Sequence, residues 1–286
     1  MTALDSKQYK EAERQSWDSV AAGWQKWWEP IERGAEKVSR RLIELAEIKP
    51  GSRVLDIATG IGEPAITAAK QVGKNGHILA TDISSQMLTI GKERAASLGI
   101  LNVIEFREGD AETIELQSST FDAVLCRWGL MFLPDLKAGL FNINRSLKEG
   151  GHLAASVWAA PVQDTLSDMT MKTVMKETNS PPPPPGTPGP FSLSDENTLK
   201  NSFLTSGFKD LAFERISVSF DFDSPADFTD FILETSGPLL KMITNQTHER
   251  RVEIKKAVTE VAKSYADNIT GKVRFGNEAI LIVGKK

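Results

Sequence analysis

The sequence predicts an α/β fold: a Rossmann-like seven-stranded sheet with helices on both faces and a helical cap over one side. Three observations carry this expectation. Between residues 52 and 158, short apolar runs alternate with segments of helical period, the pattern of parallel strands joined by crossover helices. A turn containing Gly60 and Gly62 follows the first run and leads into a helix. Two more strand-like runs, 211–222 and 273–283, lie near the C-terminus and complete the sheet.

Taken in order, the N-terminal segment places Trp17, Val20, Trp24, Trp27 and Trp28 on one helical face. Such a stripe either packs on a core or forms an aromatic lid over a ligand. Strands are expected at 54–57, 78–82, 103–106, 123–126 and 153–157. Between them, Met87, Gly91, Ala95 and Leu98 share a helical face, with Ser84 as N-cap and Gly99 as the stop. Leu136, Leu140, Ile143 and Leu147 share another, between Asp135 and Gly150-Gly151. Residues 161–178 look helical, and a run of five prolines begins at Pro181, suited to polyproline II. Helical sequence resumes over 195–204. The proline run is therefore expected to be a stiff loop inside one domain, divided into a lid (1–50), a ligand-binding core (51–160), a cap with the sixth strand (161–270) and a last strand (271–286).

Composition narrows the function classes. With 40% hydrophobic and 25% charged residues, the 286-residue chain can bury a sizeable core. A net charge of −4 argues against general affinity for nucleic-acid phosphates or anionic membranes. The densest basic cluster, His248-Glu249-Arg250-Arg251, reads as a solvated helix face. Cys126 is the single cysteine, which excludes an intrachain disulfide and a cysteine-rich metal site. No metal-ligand spacing appears, so no metal is expected. The N-terminus lacks the apolar run of a secretory leader, and no apolar stretch is long enough to span a bilayer. A cytoplasmic location is expected.

The informative segment runs from Val54 through Asp56, Ala58, Thr59, Gly60 and Gly62 to Glu63-Pro64-Ala65. The string Gly60-x-Gly62-x-x-Ala65 formally matches a dinucleotide fingerprint, but charge points elsewhere. A dinucleotide sets its pyrophosphate on the helix N-terminus, where Asp56 and Glu63 would repel it. S-adenosylmethionine has no phosphate and carries a sulfonium and an ammonium, for which nearby acids are useful. Asp82, ending the next strand, is placed to accept hydrogen bonds from ribose hydroxyls.

These motifs resemble those of the class I methyltransferases, and most of all the UbiE-like branch with its quinone-modifying C-methyltransferases. The resemblance extends to Glu108-Gly109-Asp110-Ala111-Glu112, to 121–127, and to 147–153, and covers about residues 50–160. It departs at Ala58, where the family usually carries a glycine. It implies S-adenosylmethionine as cofactor. Asp56 would organise the loop and the donor ammonium, with Thr59 in the same loop; Ala58 and Gly60 would pass the methionyl group. Asp82 would bind the ribose, Ile83 and Met87 would pack on adenine, and Asp110 and the Ala111 amide would read the adenine edge. The backbone around Arg127 would line the sulfonium side, while Asp122 would serve folding.

Methyl transfer from a sulfonium needs alignment and exclusion of water more than activation. Trp24, Trp28, Trp128, Phe132 and Trp158 are the expected apolar wall for the acceptor, under the cap. No catalytic base is assigned: His77 and His152 precede strands at the far end of the sheet, and His248 lies on a helix of the C-terminal half. The expected function is O- or C-methylation of an aromatic, quinone-like or natural-product small molecule. The alternatives are N-methylation of a small amine, a nucleotide-dependent oxidoreductase, and a non-catalytic binding protein docking through its proline run.

Overall fold

The computed structural model describes residues 6–160, 165–184 and 186–286. Its seven-stranded sheet has the order β3-β2-β1-β4-β5-β7-β6, with β1 Arg53–Ile57, β2 His77–Asp82, β3 Ile104–Glu108, β4 Phe121–Arg127, β5 Leu147–Trp158, β6 Lys209–Phe222 and β7 Val273–Lys285. Strands β1 to β5 pair in parallel, and β7 runs antiparallel between β5 and β6. The chain moves outward from β1 to β3, then returns to place β4 on the other side of β1. That reversal opens a crevice at the carboxyl ends of β1 and β4, the usual ligand position of such sheets.

Alternation along the central strands divides the core. Val54, Ala123 and Leu125 face one layer with Val38, Leu42, Ala65 and Ala68. Their neighbours Leu55, Val124 and Cys126 face the other layer, with Leu140, Ile143, Leu199 and Phe203. The first layer is covered by α2 (Trp28–Leu45), α3 (Ala65–Val72) and α4 (Ser85–Ser97), the second by α5 (Leu136–Ser146) and α7 (Glu196–Thr205). Because both faces are covered, β1 and β4 read as almost continuous apolar runs.

The remaining helices form the cap: α6 Leu166–Thr178, α8 Pro225–Thr235, α9 Gly237–Thr244 and α10 His248–Lys263. They share a satellite core of Val174, Leu239, Ile243, Ile254 and Val258. Helix α1 (Ser6–Lys26) rests against α8 and α9. The seat is close: a Cβ on Gly23 would overlap the Glu234 carbonyl, and one on Gly237 would overlap the Ser16 hydroxyl. The proline segment is tied down at its far end, where the Gly189 amide and the Ser192 hydroxyl both donate to the Met131 carbonyl, at 2.9 and 2.7 Å.

Several expectations change. The tryptophan stripe does not lie on one helix, because α1 ends at Lys26 and α2 starts at Trp28. Leu98 is 55% exposed, since it caps the end of α4 where the chain turns at Gly99, so it leaves the buried face. Leu147 opens β5 and is not part of α5. The 248–251 cluster is not simply solvated: the Arg250 guanidinium donates to the Glu177 carbonyl and carboxylate, tying α10 to α6. Residues 161–164, expected to be helical, lie outside the described residues, and α6 starts after its Thr165 N-cap.

Candidate cofactor and acceptor site

Asp56 is fully buried near the end of β1. One carboxylate oxygen accepts from the Thr59 hydroxyl at 2.7 Å and from the Ala65 amide at 3.0 Å. The other is buried with no hydrogen-bond partner. Burial pushes this carboxyl up to about 7, against the pull of those two donors and of Arg127. Glu63, also buried, accepts from the Thr67 amide at 3.1 Å and its hydroxyl at 2.7 Å. Burial and the nearby Glu32 carboxylate push it up as well. Thus two of the first three amides of α3, those of Ala65 and Thr67, are already taken by carboxylates, while the Ile66 amide donates to the Gly62 carbonyl.

The loop between them bends sharply. Ala58 has φ +56°, Gly60 +55° and Gly62 +101°. At Gly62 the close approach is to α4, where a Cβ would crowd the Gly91 Cα and collide with Ile66. Ala58 holds the left-handed conformation that glycine takes at less cost.

Asp82 locks this loop to the next one. Its two oxygens accept from the Gly60 amide at 2.8 Å and the Ser84 amide at 2.9 Å, and burial pushes it up to about 6. Ser84 caps α4 by accepting from the Met87 amide, while its own hydroxyl donates to Asp18 of α1 at 2.7 Å. Farther along α1, the Lys10 ammonium pairs with Asp110 at 2.7 Å and with Glu112. Val20 and Ala21 pack on Ile61, Met87 and Ile90. Helix α1 therefore lies across the loop after β1 and the start of α4.

At the end of β4, Arg127 is buried and donates to both Glu32 oxygens, at 3.0 and 2.8 Å, and to Ser39 at 2.8 Å. Glu32 and the other acids hold the guanidinium above its ordinary range in spite of burial. Trp128 follows and stacks on Trp158 with ring centroids 4.3 Å apart. Phe132, in the 3-10 turn Leu130–Phe132, meets Trp17 edge to face at 5.2 Å, and Trp17 meets Trp24 at 6.2 Å.

Of the residues expected from sequence, Asp56, Ala58, Thr59, Gly60, Gly62 and Asp82 are thus joined by hydrogen bonds or adjacency, with Ile83 and Met87 leading into α4. Asp110 accepts from the Glu112 amide and the Thr113 hydroxyl as well as from Lys10, and the Ala111 carbonyl accepts from Asn142. Trp128, Phe132 and Trp158 gather beyond β4. Trp24 donates its indole N–H to the Thr235 carbonyl, and Trp28 is 39% exposed under the Arg94 guanidinium. Sequence reading does not single out Glu32, Lys10 or Asp18, whose contacts with Arg127, Asp110 and Ser84 span at least 66 positions. Asp122 joins strand starts, accepting from the Arg53 amide and Lys148. His77 and His152 pair with Arg53 and Ala123 at the opposite end of the sheet.

The residues fit a cationic ligand. Carboxylates fill the helix N-terminus that a pyrophosphate would need, and the orphaned Asp56 oxygen offers an acceptor to an ammonium. Among the described residues no cluster could hold a metal ion and no helix is long and apolar enough to cross a membrane.

Comparison with known proteins agrees with this geometry. A model of the ubiE/COQ5 methyltransferase family matches residues 9–177. The ubiquinone/menaquinone biosynthesis C-methyltransferase UbiE of Teredinibacter turnerae is 34% identical over 124 residues, 43% of this chain and 50% of that protein. The chain spans about half the length of the curated relatives it matches. Among solved structures, a Haemonchus contortus phosphoethanolamine N-methyltransferase 2 in complex with S-adenosyl-L-methionine superposes with a TM-score of 0.52 at 18% identity, covering 85% of this chain and 51% of that one. The [4+2]-cyclase SpnF superposes with a TM-score of 0.56 at 20% identity, over 88% and 81% of the two chains. These structures share the fold.

Proposed function

This chain belongs to the ubiE/COQ5 methyltransferase family, with S-adenosylmethionine as its cofactor, and we propose that it methylates carbon or oxygen of a small aromatic, quinone-like acceptor. The single observation that carries the reading is the filling of the α3 N-terminus by Asp56 and Glu63. That arrangement repels a pyrophosphate and suits a sulfonium-bearing donor. The fold alone does not choose a reaction, since a cyclase shares it; the strand-end chemistry and the family support methyl transfer.

In this reading the cofactor supplies an activated methyl group on its sulfonium. The chain's own residues bind and orient. The loop from Asp56 to Gly62 holds the methionyl group, Asp82 takes the ribose hydroxyls, Ile83 and Met87 flank the adenine, and Asp110 with the Ala111 amide meets its edge. Backbone beside Arg127 lines the sulfonium side. Trp24, Trp128, Phe132 and Trp158 wall the acceptor. Residues 1–50 and the cap within 161–270 exclude water during the in-line displacement. Trp28, exposed beneath Arg94, contributes to the outer wall through α2.

The test is label transfer. Purified protein with methyl-labelled S-adenosylmethionine is offered a panel of hydroquinones, phenols and small amines. Transfer to ring carbon or phenolic oxygen is expected. Transfer confined to amines, or donor binding with no transfer to any of them, would count against the proposed acceptor class.

A further inference from the structure

Trp128 carries two unrelieved costs. Its indole N–H is buried with no hydrogen-bond partner, and a donor left unpaired in the interior is unfavourable. Its backbone has φ +58°, a conformation rare for a bulky L residue. Both are held in place by the surroundings. The Trp128 amide donates to the Ser156 carbonyl at 2.9 Å, and the ring lies on Trp158 with an interplanar angle of 14°. The following residue, Gly129, is pressed against Ala58 and Cys126, where a Cβ would collide. This strained residue stands where β4 ends beside the cofactor loop, the position at which observed strain most often serves a ligand.

We propose that the Trp128 N–H recognises an oxygen on the ring of the methyl acceptor, so that the site selects hydroxyaromatic compounds over hydrocarbons of the same shape. The inference deepens the methyltransferase reading and rests on it. An indole N–H is donor only, so its partner must be an acceptor atom. The Trp128 and Trp158 indoles stack on each other, and both pack with Phe132 against the same apolar cluster, so the surroundings of that atom suit a flat apolar body. A hydroxylated aromatic ring has both features. A site built to hydrogen-bond an oxygen discriminates strongly against an analogue lacking it, because the buried donor is then left unpaired.

The test uses the full chain saturated with S-adenosylhomocysteine and two probes of matched shape, 2-naphthol and 2-methylnaphthalene, with binding followed by ligand-observed NMR. The wild type is expected to bind 2-naphthol about tenfold more tightly, a difference of about 1.4 kcal/mol. In Trp128→Phe, which keeps a ring in the stack, that preference should vanish while S-adenosylhomocysteine affinity stays within about twofold. If that variant fails to fold, the Trp128 N–H resonance of the wild type decides: it should shift with 2-naphthol and not with 2-methylnaphthalene. Equal binding of the two probes, binding of neither, a preference that survives in Trp128→Phe, or a large loss of S-adenosylhomocysteine affinity in that variant would each overturn the proposal. Failure of the wild type to bind S-adenosylhomocysteine at all would instead remove the methyltransferase reading beneath it.

Discussion

The Asp56 carboxylate accepts the Ala65 amide at 3.0 Å, so the first turn of α3 is capped by an acid from the strand before it. In a nucleotide-binding version of this turn the same amide would face a phosphate. One short hydrogen bond therefore separates two cofactor classes that the glycine spacing alone cannot. The second carboxylate oxygen, buried and unpaired, marks where a positive group is wanted.

Asp82→Ala should weaken S-adenosylmethionine binding by about 2–3 kcal/mol, because a charged acceptor is lost from two ribose hydroxyls. The structure adds a second effect. The Gly60 and Ser84 amides both donate to Asp82, so the variant should also melt earlier. Asp82→Asn, which keeps one carbonyl acceptor, should recover part of the stability and little of the affinity. Calorimetry paired with thermal denaturation separates the two; unchanged affinity in folded Asp82→Ala would remove this residue from the site.

Proton release should accompany cofactor binding. Burial pushes Asp56 up to about 7 and Asp82 up to about 6 from ordinary values of 3.8. Raised carboxyl values mean that these groups stabilise the folded state below about pH 4, and that this contribution is lost as pH rises through 6 to 7. The ligand-free protein should therefore gain little from alkaline conditions, while a cationic ligand favours the ionised acids and binds better as pH rises through that window. Titrations near pH 6.5 in two buffers of different ionisation enthalpy should reveal released protons. Equal heats in both buffers would contradict the account.

Gly23→Ala should unseat α1 without touching any cofactor contact. The new methyl group overlaps the Glu234 carbonyl, and overpacking of this kind costs about 1–3 kcal/mol. Because α1 reaches the site through Asp18, Lys10 and Trp17, faster dissociation of S-adenosylhomocysteine is expected in stopped-flow measurements. A variant with altered melting temperature but unchanged dissociation would show that α1 is only a packing element.

Ala58→Gly and Ala58→Val should diverge. At φ +56° alanine is strained by about 1–2 kcal/mol, which roughly offsets the entropy and packing lost with glycine. Ala58→Gly should stay within about 1 kcal/mol of the wild type and keep its ligand. Ala58→Val adds a β-branch in the left-handed region, against Gly129, and should lose both stability and binding. Chemical denaturation of the two variants checks this.

The sheet is legible from sequence because its central strands, covered on both faces, read as short continuous apolar runs, and its helices carry clear caps such as Ser84 and Asp135. The cofactor loop was legible because Asp56, the glycines and Asp82 lie within 27 positions of one another. The cap was not. Helix α10 buries only Ile254, Val258 and Ala262, a single file among charges that gives a weak periodic signal, although Ser224-Pro225 announces α8 in the usual way. The Glu32–Arg127 and Lys10–Asp110 pairs were invisible for another reason: they join residues 95 and 100 positions apart, and only the packing of α1 and α2 on the sheet ends brings them together. The tryptophan stripe spans two helices because helical period runs on across the break at Trp27, where the backbone leaves the helix.

The most direct test of the central claim is a paired calorimetric titration of the wild-type protein with S-adenosylhomocysteine and with NADH. A loop whose helix N-terminus is filled by Asp56 and Glu63 should bind the first with one-to-one stoichiometry and leave the second unbound. Saturable NADH binding, with S-adenosylhomocysteine giving no heat, would contradict it.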